Sequence, residues 1–281
     1  MKHTKTVKSL AASAILIAAC SFVVAANADQ VSDIKSKGEM VCGVLGTDEP
    51  FSFIADPSSR QIVGYDIDLC QAVAEKMGVK PVLKQLAVSA RIPELQQGRV
   101  DLLAATLTHT KEREDLIDFS MSTYLSSAKV LTKRSSGISH IGDLAGKRVL
   151  TVKGTTMEQN IRNAVPDAQI VSFDTTPQAL LALKQGKGVA MVNDESSLLK
   201  SQASLGDQAN EFVILPEKLS TEYIALGVRK NEPAFLDLVN SVLVDLEKSG
   251  QADQLFMKWF GPNSKMKYVS RPFKIESSSI N

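Results

Sequence analysis

The chain has 281 residues, and its 32 Lys and Arg stand against 31 Asp and Glu, for a formal charge of +1. That balance leaves no basic surplus to neutralise phosphates, so it argues against a nucleic-acid or anionic-membrane partner. The length exceeds one ordinary domain and fits two lobes of about 100 residues each.

In chain order, residues 1–28 read as a signal peptide. Lys2, Lys5 and Lys8 form a positive start, Leu10 to Ala26 is apolar, and Ala26-Asn27-Ala28 is an A-x-A cleavage site. Ile17-Ala18-Ala19-Cys20 loosely fits a lipid-attachment box, but the apolar run continues through Val24. Cleavage at Ala28 is therefore preferred to a lipid anchor at Cys20. No other segment approaches the ~18 apolar residues of a membrane span. The exported chain, residues 29–281, keeps 29 basic against 31 acidic residues, since the leader removes three lysines and no acid. It also keeps two cysteines, Cys42 and Cys70. These fall on a strand and the following helix, and an oxidising compartment favours a disulfide between them over two buried thiols.

Apolar runs then alternate with helical periods, which predicts a parallel α/β architecture. Strands are expected at Glu39–Leu45, Val79–Leu86, Gly146–Val152, Ile170–Phe173 and Val189–Val192. Helices are expected at Ile67–Met77, Thr155–Ala164 and Pro177–Gln185. Residues 93–106 (PELQQGRVDLLAAT) and 180–194 (LLALKQGKGVAMVND) share one pattern of helix, glycine stop, strand and terminal polar residue, and read as the same unit in two similar lobes. Two extended crossings, Ala128–Thr132 and Tyr223–Val228, would join them. Helices near Phe235–Ser249 and Gln251–Trp259 follow, and the Lys- and Ser-rich tail after Gly261 is expected to be poorly ordered. The predicted division is 1–28 leader, 29–128 plus 223–262 lobe 1, 129–222 lobe 2 and 263–281 tail.

The densest chemistry lies in RIPELQQGRVDLLAATLTHTKEREDLIDFSMSTY, residues 91–124. A strand from Arg99 to about Leu107 would turn the hydroxyls of Thr106 and Thr108 to one face. Arg113 follows in a helix opening near Thr110. Two hydroxyls and a guanidinium at a strand's carboxyl end suit a carboxylate. Taken alone, the segment also fits a capped surface helix with a solvated Arg. In lobe 2, Gly154-Thr155-Thr156-Met157-Glu158 opens a helix, with Thr155 and Glu158 spaced as a capping box. Helix starts of this kind also receive anions. Ligands of open α/β sheets collect at strand carboxyl ends. Thr106 with Thr108, and Asp194, occupy such ends, so the site is placed between the lobes.

The 91–124 run resembles the signature of amino-acid-binding proteins of ABC importers: R-x-x-x-L-x-x-G-x-x-D, a Thr/Ser strand, then T-x-x-R and F-S before a tyrosine. VCGV, GYDIDLC, LAGKRV, GTT and SGQADQLFMKWFG extend the likeness over nearly the whole exported chain, which is similar to family 3 extracellular solute-binding proteins. The resemblance implies a type II periplasmic binding fold and closure on a free amino acid. It also implies delivery to an ABC permease of the inner membrane by a periplasmic monomer without cofactor or metal. Carried across, Thr106, Thr108 and Arg113 would make lobe 1's share of the contacts to the ligand's backbone groups, Thr156 would help hold its carboxylate from lobe 2, and Asp194 would bind its ammonium. Candidates for the side-chain pocket are the 45–53 loop, Val88, Arg91 and Thr176. Phe51 would line the pocket or sit in the core. Arg91 stands where glutamate/aspartate-binding relatives direct an arginine at the side chain, which leans towards a polar or acidic ligand. Leu45 departs from the second arginine of those relatives, and Asp48 from the aromatic that others stack on the ligand.

Two alternatives follow from the same resemblance. One is a periplasmic dehydratase acting on cyclohexadienyl acids, which would need a general acid such as Glu195. His109 is read as a solvent-facing loop residue rather than a base. The other is a soluble ligand sensor. A fused receptor is not expected, because the sequence reaches Asn281 without another domain or span.

Overall fold

The computed structural model describes residues 29–278 and Ile280. The leader, with its Ala28 cleavage site and Cys20, lies outside the described residues. Helix α1 (Gln30–Lys37) leads into β1 (Glu39–Val44), a meander of three short strands β2 (Thr47–Asp48), β3 (Ser52–Ile54) and β4 (Ile62–Val63), and then α2 (Tyr65–Met77). After β5 (Lys80–Gln85) come α3 (Arg91–Gln96), β6 (Leu102–Thr108), the four-residue α4 (Lys111–Glu114) and the 16-residue β7 (Asp118–Lys133). The second lobe runs β8 (Arg148–Val152), α5 (Met157–Ala164), β9 (Gln169–Phe173), α6 (Thr176–Lys184), β10 (Ala190–Asp194), α7 (Glu195–Ala203) and β11 (Phe212–Ile214). Finally β12 (Ser220–Val228) returns to α8 (Pro233–Lys248) and α9 (Gln251–Phe260). Among the described residues no helix is long and apolar enough to cross a membrane.

One sheet runs through both lobes in the order β5-β1-β6-β12-β7-β10-β8-β9, with β11 also against β7. The parallel trio β5-β1-β6 is matched by β9-β8-β10, and in each lobe an antiparallel strand closes the trio. The repeat visible at 93–106 and 180–194 is thus the α3–β6 and α6–β10 pair. Strand β7 pairs with β12 from Asp118 to Ala128 and with β10 from Ala128 to Thr132, so a single strand crosses from one lobe to the other. Its partner crossing is β12.

The inner parallel strands β1, β6, β8 and β10 are mostly buried, which calls for apolar runs, whereas the edge strands β5 and β9 are half-exposed. All seven residues of β6 are buried. Along β10, Ala190 and Val192 enter the core with Val149 and Ile161, while Met191 faces Leu150, Leu183 and Phe212. The first lobe's larger core sets Cys42, Val44, Leu102 and Ala104 against α2, α8 and α9. Helix α8 meets it with Phe235, Val239, Val242, Leu243 and Leu246, an amphipathic spacing. Within this core Cys42 and Cys70 are bonded, with an S–S distance of 2.02 Å.

Phe51 belongs to this core and not to a pocket. Its ring stands edge-on to Tyr124 at 5.0 Å and Phe260 at 5.1 Å. The cis Glu49–Pro50 bond precedes it, and the β2–β4 meander carries the chain over α2. The tail also departs from expectation. Tyr268 and Phe273 pack on Phe256, Ile275 is buried, and Glu276 accepts from the Ser122 N–H at 2.7 Å. Arg271 fixes the turn with both terminal nitrogens on Glu247 and Nε on Asp253, each at 2.7 Å. The sparse apolar residues among lysines and serines are what order the segment. His109 is likewise not solvent-facing: its ring stacks on Phe119 at 4.3 Å, with the side chain only 10% exposed.

Candidate ligand site between the lobes

The carboxyl ends of β1, β6, β8 and β10 open on one cavity of about 670 Å³. From lobe 1 its wall takes Leu45, Asp48, Val88, Arg91, Thr106, Thr108 and Arg113. From lobe 2 it takes Thr155, Thr156, Thr176, Asn193, Asp194, Ser197 and Lys200. Of the residues singled out in the sequence, Thr106, Thr108, Arg113, Thr156, Asp194, Arg91, Val88 and Thr176 all meet here. Phe51 does not, and neither does Glu195, whose carboxylate accepts from Lys129 Nζ at 2.6 Å.

The lobes touch around the cavity. The Gly154 carbonyl accepts from Arg91 Nη2 at 2.9 Å and from Arg113 Nη2 at 3.0 Å, while Lys200 Nζ donates to the Thr47 carbonyl at 3.0 Å. A Cβ on Gly154 would lie 2.7 Å from Ser89 Cα, and φ is +77° there, so this close approach requires glycine. The arrangement is a closed cleft.

Each charged group is held differently. Arg91, 3% exposed, spends Nε on the Val88 carbonyl, both Nη1 hydrogens on Ala105 and Thr106, and one Nη2 hydrogen on Gly154. A single Nη2 hydrogen is left for anything else. Burial, with Arg113 nearby, pulls its pKa down to about 9. Its resemblance to a free side-chain receptor therefore does not extend to this geometry. Arg113 uses Nη1 on the Thr108 carbonyl at 2.7 Å and Nη2 on Gly154, which leaves Nε and one hydrogen on each terminal nitrogen. Asp194 is 9% exposed, and its Oδ1 is buried without a hydrogen-bond partner. Burial pushes its pKa up to about 7, and the charges of Glu222 and Asp48 add to the rise.

Thr106 has φ +49°, a left-handed conformation that a β-branched residue rarely takes. It falls where the β6–β12 register shifts. Its N–H donates to Asp66 Oδ2 at 2.8 Å and its hydroxyl to Asp48 Oδ2 at 2.7 Å, so two carboxylates hold the strained residue. Burial raises Asp66 to about 7. Asp66 lies within GYDIDLC, one of the segments that carry the family likeness, but nothing in the sequence marks it as a site residue. Glu222, on β12, was also missed: it is buried and accepts from Thr156 Oγ1 and Asn160 Nδ2, each at 2.8 Å.

The start of α5 opens on the cavity, but without the expected capping box. Thr155 Oγ1 donates to the Val152 carbonyl at 2.7 Å, and Glu158 accepts from Ser172. The reciprocal box occurs instead at Thr175 and Gln178 of α6.

Residues 40–262 match the bacterial extracellular solute-binding proteins, family 3. The chain belongs to that family. It is 32% identical over 235 residues to the ABC transporter glutamine-binding protein of Bacillus subtilis (strain 168), covering 82% of this chain and 84% of that one. To the L-glutamate/L-aspartate-binding protein of Pseudomonas aeruginosa (strain PAO1) it is 29% identical over 265 residues, covering 90% and 87%. Among solved structures it resembles an ancestral amino acid-binding protein, a precursor of cyclohexadienyl dehydratase. The TM-score is 0.73 at 30% identity, covering 83% of this chain and 100% of that one. Relatives of comparable identity thus differ in the amino acid named for them, and likeness alone does not select one.

Proposed function

We propose that this chain binds one free L-amino acid between its lobes and delivers it to the permease of an ABC importer. The buried, unpartnered Oδ1 of Asp194, in a cavity that also presents the uncommitted donors of Arg113, carries the reading. A zwitterion entering a closed cleft loses the hydration of both poles, which is costly unless each finds a partner. Arg113 offers a fork for the carboxylate, assisted by the Thr108 hydroxyl and the amide N–H groups of the α5 start at Thr156, while the Thr106 hydroxyl, donated to Asp48, faces the cavity as an acceptor. Asp194 offers an acceptor for the ammonium. A ligand lacking either pole would leave one of these groups unpaired. Thr176, Val88 and Arg91 belong to the remaining wall, where the side chain would lie.

The open and closed forms exchange by bending of β7 and β12, and the ligand favours the closed form because only there does it meet both lobes. The moving units are 29–128 plus 223–262 and 129–222, with residues 263–278 riding on the first. The protein acts as an exported monomer in the periplasm, and the closed form docks on the inner-membrane permease.

A thermal-unfolding screen against the twenty amino acids tests this. At about 100 times its Kd, a true ligand adds roughly 2.7 kcal/mol of stability. No stabilisation by any of them would overturn the reading. The dehydratase precursor among the structural neighbours gives a second reading, catalysis on the same fold. Turnover of prephenate or arogenate by the purified protein would establish it over simple binding.

A further inference from the structure

We propose that Asp48 selects the ligand's side chain, and that the side chain it selects is cationic. The inference rests on the reading of the cavity as an amino-acid site and names the class of amino acid. Two observations carry it, the position of the Asp48 carboxylate and the balance of charge around the cavity.

Asp48 lies on the cavity wall at the end of the β2 strand, next to Thr106 and Ser197. Its Oδ2 accepts from Thr106 Oγ1 at 2.7 Å, and its Oδ1 has only a long contact with Ser197 Oγ at 3.4 Å. Acceptor capacity on Oδ1 therefore remains open to a donor in the cavity. Lys200 shares the wall, but its Nζ is bonded to the Thr47 carbonyl and forms no ion pair with Asp48. Arg91, the other cation close by, has only one hydrogen left after its four carbonyl contacts.

Three cations, Arg91, Arg113 and Lys200, line the cavity; against them stand Asp48 and Asp194 on the wall and, behind Thr106 and Thr156, Asp66 and Glu222, an excess of one negative charge when all four are ionised. Asp174 at the rim is compensated by Lys153 at 3.0 Å. A zwitterion with a neutral side chain leaves that excess in place. An acidic side chain enlarges it and faces an Arg91 that cannot offer a second hydrogen. A guanidinium or ammonium closes it and supplies the donor that Asp48 Oδ1 lacks. Burial raises the Asp48 carboxyl above its ordinary value, as expected for a carboxylate without a full cationic partner. On this inference the lean towards a polar or acidic ligand drawn from Arg91 in the sequence gives way to a basic one.

Calorimetric titration of the full chain, dialysed free of amino acids, with arginine, lysine, glutamine and glutamate tests the inference. Arginine or lysine should bind at least tenfold tighter than glutamine, and glutamate weakest. Asp48→Asn keeps the size and the Thr106 contact, and it should weaken the basic ligand at least tenfold while sparing glutamine. Tightest binding of glutamine or glutamate would overturn the inference in the wild-type protein alone, whatever the variant's folding. Equal loss for every amino acid in Asp48→Asn would also overturn it, since Asp48 would then serve the common ammonium. Binding of none of the amino acids would instead fail the amino-acid reading on which this rests.

Discussion

The two lobes share a strand order but not a composition. Lobe 1 packs Phe51, Tyr65, Tyr124, Phe256 and Phe260 into one aromatic cluster, adds the Cys42–Cys70 bond, and is bound by the returning helices and tail. Lobe 2 holds only Phe173 and Phe212 as aromatic rings, within cores of Leu, Ile, Val, Ala and Met. At the cavity the asymmetry is chemical: the equivalent strands β6 and β10 end in Thr106–Thr108 and in Asn193–Asp194. The same topology thus delivers hydroxyls and guanidinium from one side and a carboxylate from the other. Lobe 1 also bears more of the chain's stabilising devices.

The largest effect should follow from breaking that imbalance. Phe260→Ala removes a fully buried ring from the middle of the cluster and should cost about 3–5 kcal/mol in urea unfolding. A loss below about 1 kcal/mol would show that lobe 1 does not depend on it. Arg113→Ala should weaken ligand binding by roughly 2–5 kcal/mol in calorimetry, because a charged ligand end loses its partner. Unchanged affinity would remove Arg113 from the site. Replacing Cys42 and Cys70 together by Ala should cost about 3–4 kcal/mol in the same unfolding experiment, given the 28-residue separation they span.

Arg271→Ala should be milder, about 1–3 kcal/mol, with faster hydrogen exchange confined to the tail and the end of α8. The smallest effect is on pH dependence. Asp66 and Asp194 have folded values near 7 against an ordinary 3.8, so the folded state holds more protons between these limits. The unliganded protein should therefore gain stability as pH falls from about 8 to about 5. His140, raised by Glu217, acts with the same sign, so the decisive comparison is Asp194→Asn, which should flatten the trend.

Where local pattern decided the structure, the sequence was readable. The apolar start of β6, the repeated helix–glycine–strand unit and the threonines and acid at strand ends foretold two similar lobes and many residues of the cavity wall. What escaped depended on contacts far along the chain. Asp66 reaches Thr106 across 40 positions, and Glu222 reaches Thr156 across 66. Nothing local distinguishes a surface tail from one whose Arg271 finds Glu247 and whose rings find Phe256. Phe51 follows a loop proline beside the predicted site, yet the β2–β4 meander turns it inward. The capping box failed at Thr155 because its hydroxyl bonds back to Val152, leaving Thr156 as the first helical cap.

A crystal structure of the amino-acid-loaded protein tests most directly whether opposite lobes neutralise opposite ends of one zwitterion. The ligand's carboxylate should lie within hydrogen-bond distance of Arg113 and its ammonium on Asp194 Oδ1. A ligand bound with either residue turned away, or both ends held by lobe 1 alone, would contradict it.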